Sequence, residues 1–322
     1  MPARVPIAFI AVLILAGCSD PGQRSAARDA ESQSQLQAIS LFGEALFPPP
    51  LPDSVRLDWE RKLVEARADY ERHPDDAEAI IWYGRRTAYL GDYRRAIAIY
   101  SEGIEKHPDD PRMYRHRGHR FITVREFGRA IADLERAAQL IEGTADEVEP
   151  DGLPNARNIP TSTLHSNIWY HLGLAYYLSG DFRSTLRAYR ECLKVSNNPD
   201  MLVATSHWLY MTLRRLDRDA EAAAVLEPIH SEMDVIENHS YHRLLLMYRG
   251  ELSPEALLEQ ISTADAIENA TIGYGVGNWY LYNDQPKQAI EIYRTVLRGS
   301  QWAAFGYIAA EADLRRLANE SA

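Results

Sequence analysis

From about residue 54 onward, apolar residues recur at intervals of three and four, and no stretch sustains the Val/Ile/Thr alternation of a half-buried strand. That spacing predicts an all-α body. Its helical segments are punctuated in a regular way. Gly91-Asp92-Tyr93 and Gly180-Asp181-Phe182 each separate two periodic segments, where Gly can end one helix with positive φ and Asp can cap the next. His73-Pro74-Asp75-Asp76 returns verbatim as His107-Pro108-Asp109-Asp110 after 34 residues, and Gly84 returns as Gly118 at the same shift. Pro74 and Pro108 stop a helix, and each Asp pair sets negative charge at the start of the next one.

Trp169, Leu172, Gly173 and Tyr176 reproduce the W-x2-L-G-x2-Y first-helix pattern, while Ala96, Tyr100 and Pro108 match second-helix and terminal positions in another unit. With its 34-residue period, the chain resembles the tetratricopeptide repeat family. The resemblance implies an all-α, α-α superhelix (solenoid) of about six helix pairs with a C-terminal capping helix. Gly84, Gly118, Gly173 and Gly277 would sit where a first helix crosses its partner, with Ala96, Ala130, Ala222 and Ala289 as the small residues opposite.

The marker spacing also locates the irregularities. Gly118 and Gly173 lie 55 residues apart, so an insertion of 21 is expected; residues 143–163, rich in Gly, Pro, Asp, Glu and Asn, predict a surface loop there. From Gly173 to Gly277 is 104 residues, or three periods plus two, which leaves room for two degenerate units in which Tyr210 replaces the Gly and 243–249 matches poorly. Gly273-Tyr274-Gly275-Val276-Gly277 has no preceding strand and no Lys-Ser/Thr ending, so it reads as a closely packed first helix or a bend rather than a nucleotide loop. Trp302, Phe305, Gly306 and Ala309 repeat the first-helix pattern in an amphipathic closing helix that covers the last apolar face.

The N-terminus has a different character. Arg4 precedes an apolar run over 5–16 that is too short to span a bilayer comfortably, and Leu15-Ala16-Gly17-Cys18 resembles the bacterial lipobox. Residues 1–17 are expected to be removed and Cys18 to be lipidated, anchoring the body in the bacterial cell envelope. Ser19 favours the outer membrane facing the periplasm. Residues 18–53 then form a spacer ending in Phe47-Pro48-Pro49-Pro50-Leu51-Pro52, in extended geometry or as a short helix near 35–45 followed by a turn. The array proper spans 54–318, with a tail at 319–322. Cys192 is the only other cysteine; it falls at a small apolar position of a second helix, which suits packing better than reactivity.

Composition and charge narrow the function. The mean hydropathy of −0.36 excludes a multi-span membrane protein. Loss of Arg4 with the leader moves the net charge from −11 to −12, which argues against nucleic acid as partner. His116 with His119, and His239 with His242, share helix faces but lack an H-E-x-x-H context or a nearby Cys, so no metal is expected. No nucleophile elbow occurs; the reading is a non-enzyme without cofactor.

Against the acidic background, the first helices place Arg85, Tyr89, Arg112, Arg115, His119, Asn167, Tyr170, Tyr177, His207, Arg214, Arg215, Tyr274, Asn278 and Tyr282 on the concave face that the resemblance implies. Such a face suits a partner protein or peptide bearing acidic groups, because Arg grips carboxylates bidentately and Tyr supplies rigid contact area. The bland alternative has these residues covering helices and pairing with the abundant acids. The Lys and Asn clamp of family members that bind chaperone tails is not reproduced at Ile81 and Arg85. A competing reading is an envelope binder of a small anionic ligand or cell-wall fragment, with or without hydrolytic activity.

Overall fold

The computed structural model describes residues 35–261 and 266–320. Among them, helix α1 (Asp53–Arg72) leads into six helix pairs. These are α2 (Ala77–Tyr89) with α3 (Tyr93–Lys106), α4 (Pro111–Thr123) with α5 (Phe127–Leu140), and α6 (Leu164–Ser179) with α7 (Phe182–Val195). The shorter second half follows as α8 (Pro199–Arg215) with α9 (Asp219–Val225), α10 (His239–Tyr248) with α11 (Pro254–Ile261), and α12 (Ala266–Leu281) with α13 (Pro286–Val296), before a last helix, α14 (Phe305–Glu320). The all-α architecture and its pairing follow the sequence period.

Local signals act as the residues predict. Asp76 and Asp110, the second acid of each repeated pair, accept the backbone N–H of Ala79 and Arg112 at 2.8 and 2.9 Å. Asp92 and Asp181 cap α3 and α7, and Gly91 and Gly180 before them take φ of 85° and 87°. At the pair crossings, a side chain from sixteen residues further on fills the space above each marker glycine. A β-carbon at Gly118 would stand 2.7 Å from Leu134, and one at Gly173 would stand 2.8 Å from the Tyr189 ring; Gly84 and Gly277 receive Tyr100 and Tyr293 in the same way. The small residues Ala96, Ala130, Ala222 and Ala289 are all buried beside them. In α12 the three glycines face three neighbours, Gly273 meeting Val296, Gly275 meeting Leu244 and Gly277 meeting Tyr293, and the helix runs through without interruption.

Three segments depart from expectation. Residues 38–46 form neither a spacer nor a helix but a two-stranded antiparallel hairpin, β1 (Ala38–Ile39) with β2 (Ala45–Leu46), pairing Ala38 with Leu46 and Ile39 with Ala45. Gly43 at φ 88° turns the hairpin, and Ser40 Oγ accepts the N–H of Phe42 and Glu44. The hairpin is docked, because Arg94 Nε donates to the Gln37 carbonyl at 2.7 Å and Trp302 Nε1 donates to that of Phe47 at 2.6 Å. Residues 143–163 are not only a surface loop: Val148 bridges Thr163, and the stretch from Glu149 to Gly152 lies against α2, α4 and α6.

Helix α14 is the third departure. An amphipathic cap would bury one face, yet Gly306 to Asp313 are eight consecutive buried residues. The helix is enclosed because α6, α12 and α13 hold one side and the hairpin closes another. Gly306 makes this approach possible, since a β-carbon there would collide with the Ala270 carbonyl. Glu311, 1% exposed, receives Arg125 Nε and Nη2 at 3.0 and 2.8 Å and the Leu41 N–H. Arg125 also donates to the carbonyls of Trp302 and Thr123, so one guanidinium ties the α4–α5 turn to the chain terminus. Replacing Arg125 by Met should strand the Glu311 carboxylate and lower unfolding free energy by about 3–5 kcal/mol. The Arg125→Met/Glu311→Gln double variant should regain most of that in urea denaturation, and a single-variant cost below 1 kcal/mol would show that the pair does not hold the closure.

Candidate functional site

The first helices α2, α4, α6 and α8 pack side by side, and the chain itself covers most of the face they share. Its residues fall into three groups. In the first, around α2, α4 and α6, Arg85 Nη1 donates to the Pro150 carbonyl and Arg86 Nη1 to that of Gly152, both at 2.8 Å. Arg115 pairs with Glu149 at 3.0 Å, and Asn167 Nδ2 donates to the same carboxylate at 3.0 Å. A β-carbon at Gly152 would stand 1.9 Å from the Tyr89 hydroxyl, so a side chain there would push Tyr89 aside. His119 packs its ring 4.3 Å from His171 and 5.3 Å from Phe305.

The second group surrounds α14. Asp313, fully buried, accepts from Arg215, Arg316 and the Tyr274 hydroxyl, the last at 2.9 Å. Tyr274 and Tyr177 hydroxyls stand 2.7 Å apart, and Asn278 links Tyr177 (3.0 Å) to Arg215 (2.8 Å). Tyr170 accepts from Trp208 Nε1 at 2.8 Å, while His207 stacks on Tyr241 with centroids 4.7 Å apart. Burial disfavours the charge on Asp313, but Arg215 and Arg316 outweigh it and hold its carboxyl below the usual range.

The third group sits at the edges. Arg112 is held by Asp110 at 2.6 Å and Glu78 at 3.0 Å, and Arg214 lies over the Tyr282 ring at 4.6 Å while pairing with Asp219 at 2.8 Å. Thus Tyr170, Tyr177, His207, Tyr274 and Asn278, expected on an open face, are core residues; the enclosed α14 supplies the acid and the apolar cover that an external partner was expected to bring.

Other residues carry the local chemistry without having been singled out by spacing. Glu149 is the one carboxylate set among Arg115, His116 and Asn167, and Arg120 stands with Arg85 and Arg115 on the same face. Glu149 lies in the insertion, where no repeat register points to it. His116 is stacked on Tyr100 and His242 Nε2 lies 2.9 Å from the His230 carbonyl, so both histidine pairs have a member engaged in packing. Cys192 is buried with Sγ 3.2 Å from Thr205 Oγ1, and burial pushes its thiol up to about 11. Cys18 lies outside the described residues.

A family model for the tetratricopeptide repeat matches residues 166–199, which take in α7 and all but the first two residues of α6. The chain carries a tetratricopeptide repeat. That repeat holds Trp169, Leu172, Gly173 and Tyr176, and its Gly173–Tyr189 crossing has counterparts in the two preceding pairs at Gly84–Tyr100 and Gly118–Leu134. No curated relative matches the chain in sequence. Among solved structures, a tetratricopeptide repeat protein from Parabacteroides merdae is similar at 14% identity and TM-score 0.46, over 80% of this chain and 96% of that one. YrrB, described as a tetratricopeptide repeat protein with an unusual peptide-binding site, is similar at 14% identity and TM-score 0.42, over 77% and 97%. The P58(IPK) repeat domain shares 15% identity at TM-score 0.24, over 82% and 94%.

Burial also sets a pH response. It pushes His116, His119 and His171 well below their ordinary value, with nearby Arg115 and Arg120 adding to the effect, and it takes His207 down to about 3. Each is neutral in the folded chain and titrates near pH 6.5 when unfolded, so the unfolded state binds more protons below that pH. Stability is therefore full above pH 6.5 and falls as the solution is acidified toward the folded values, by up to ~1.4 kcal/mol per pH unit for each ring. A His207→Phe variant, which keeps the stack on Tyr241, should show a slope between pH 6 and 4 shallower by about one proton in urea denaturation. An unchanged slope would mean that His207 does not remain neutral in the folded state.

Proposed function

We propose that this chain is a non-enzymatic, lipid-anchored envelope scaffold whose inner face binds an extended, acidic peptide segment of a partner protein, and that residues 147–152 occupy that face in cis. One observation carries the reading. Glu149 supplies a carboxylate to Arg115 and Asn167, while the carbonyls of Pro150 and Gly152 satisfy Arg85 and Arg86, which is how a bound strand-like peptide would present itself. The residues of this face use both a charged group and main-chain carbonyls of their occupant. An outside segment of the same chemistry can therefore replace it, provided the insertion lifts away.

The lipobox-like Leu15-Ala16-Gly17-Cys18 is what supports lipidation and an envelope location. Sixteen residues separate Cys18 from Gln35, so the tether would hold the body within about 60 Å of the membrane. In a bacterial host, Cys18→Ser should move the protein from the membrane fraction to the soluble fraction and abolish labelling by radioactive palmitate. Retained labelling would refute the anchor.

The binding reading is tested with a fluorescent peptide of sequence DEVEPDGL, copied from residues 146–153, added to a body in which residues 147–152 are replaced by Gly and Ser. Saturable binding by anisotropy is expected, weakened at least tenfold in an Arg85→Ala/Arg115→Ala background whose circular dichroism matches the parent. Absence of binding to the opened body, or equal binding to the arginine variant, would overturn the proposal.

A further inference from the structure

A cavity of about 220 Å³ remains where the two ends of the array meet. Pro49 and Leu51 before α1, Trp59 on α1, Tyr89 on α2 and His119 and Arg120 on α4 form much of its wall, with the 301–304 turn opposite. Among the described residues no Asp or Glu lines it. Arg120 is the cation that faces this space. Among the described residues no hydrogen bond or ion pair engages its guanidinium, which lies 5.6 Å from the Tyr93 ring centroid. Burial lowers its affinity for the proton, and Tyr93, Tyr100, Tyr89, Arg85, Arg115, His116, His119 and His171 are among the ionisable groups around it.

Every other arginine named here has an oxygen partner: Arg85 and Arg86 have carbonyls, Arg115 has Glu149, Arg125 has Glu311, and Arg215 has Asp313. Arg120 is partly buried and its guanidinium lines the cavity, so a carboxylate there would meet a cation that no acid among the described residues compensates. The neutral His119 ring beside it offers a second donor, and Trp59, Tyr89 and Leu51 offer flat apolar area.

We propose that this cavity is a binding site for a small organic monocarboxylate with an aromatic or branched apolar body, its carboxylate held by Arg120 and its body packed against Trp59 and Tyr89. A single cation facing the space matches one negative charge, and the apolar walls disfavour a strongly hydrated dianion such as phosphate. The site stands apart from the peptide reading, because residues 147–152 do not line it.

The test uses the mature body, phenylacetate as probe, and titration calorimetry with thermal denaturation. Phenylacetate should bind saturably and raise the melting temperature, whereas phenylacetamide, its neutral counterpart, and inorganic phosphate should bind at least tenfold more weakly. Arg120→Met should lose at least tenfold in phenylacetate affinity while its circular dichroism matches that of wild type. Arg120→Lys should keep part of the affinity, which separates charge from fold should the Met variant fail to fold. The site assignment is overturned by no phenylacetate binding at 10 mM, by equal binding to Arg120→Met, or by loss of binding in Arg120→Lys as complete as in the Met variant. Phosphate binding as tightly as phenylacetate would overturn the monocarboxylate class.

Discussion

Two acids of one helix, Glu311 and Asp313, are taken out of water and held there by arginines from elsewhere in the chain. Burying a carboxylate costs several kcal/mol unless its oxygens are satisfied, so α14 can sit inside the array only with Arg125 and Arg215 in place, together with Arg316 of the helix itself. Those three arginines fix where the chain terminus lies. The hairpin before α1 then reaches both ends, bonding Arg94 near the first pair and meeting Glu311 and Trp302 at the last helix. An array whose units would otherwise touch only their neighbours is thereby closed on itself.

Closure changes what the inner face is. In an open array, Tyr177, Tyr274 and His207 would be wet and available; here they form an aromatic interior with Trp208, Tyr241 and Tyr248, in which the hydroxyls of Tyr170, Tyr177 and Tyr274 have partners. Four histidines are driven neutral by the same exclusion of water. The region around α2 and α4 gathers Arg85, Arg115 and Arg120, and there the insertion sets Glu149 against Arg115. The inner face is consequently divided into a core half that holds the fold and a polar half that retains binding chemistry. Proposals about function therefore rest on Arg85, Arg115, Glu149 and Arg120 rather than on the whole face.

How much was legible depended on the range of the interaction. Asp76, Asp92, Asp110 and Asp181 cap the helix that follows each of them, and Gly91 and Gly180 end the helix before. Such signals act within a few residues, so they read directly from the chain. The crossings at Gly84, Gly118, Gly173 and Gly277 act over sixteen residues, still inside one repeat, and their period exposed them. Arg125 with Glu311 spans 186 residues and Leu41 with Glu311 spans 270, and no period relates them. The hairpin escaped notice because two strands of two residues are too short for alternation to register.

By itself, then, the amino-acid order determined the helices, their caps, their pairing and the position of the insertion, since each rests on contacts between residues near one another in the chain. Whether the arginines and tyrosines of the first helices faced solvent, a partner or their own chain was decided only in three dimensions. A side chain's helical face follows from local geometry, but what covers that face depends on where distant segments dock, and docking is set by the sum of burial and ion pairing across the whole molecule.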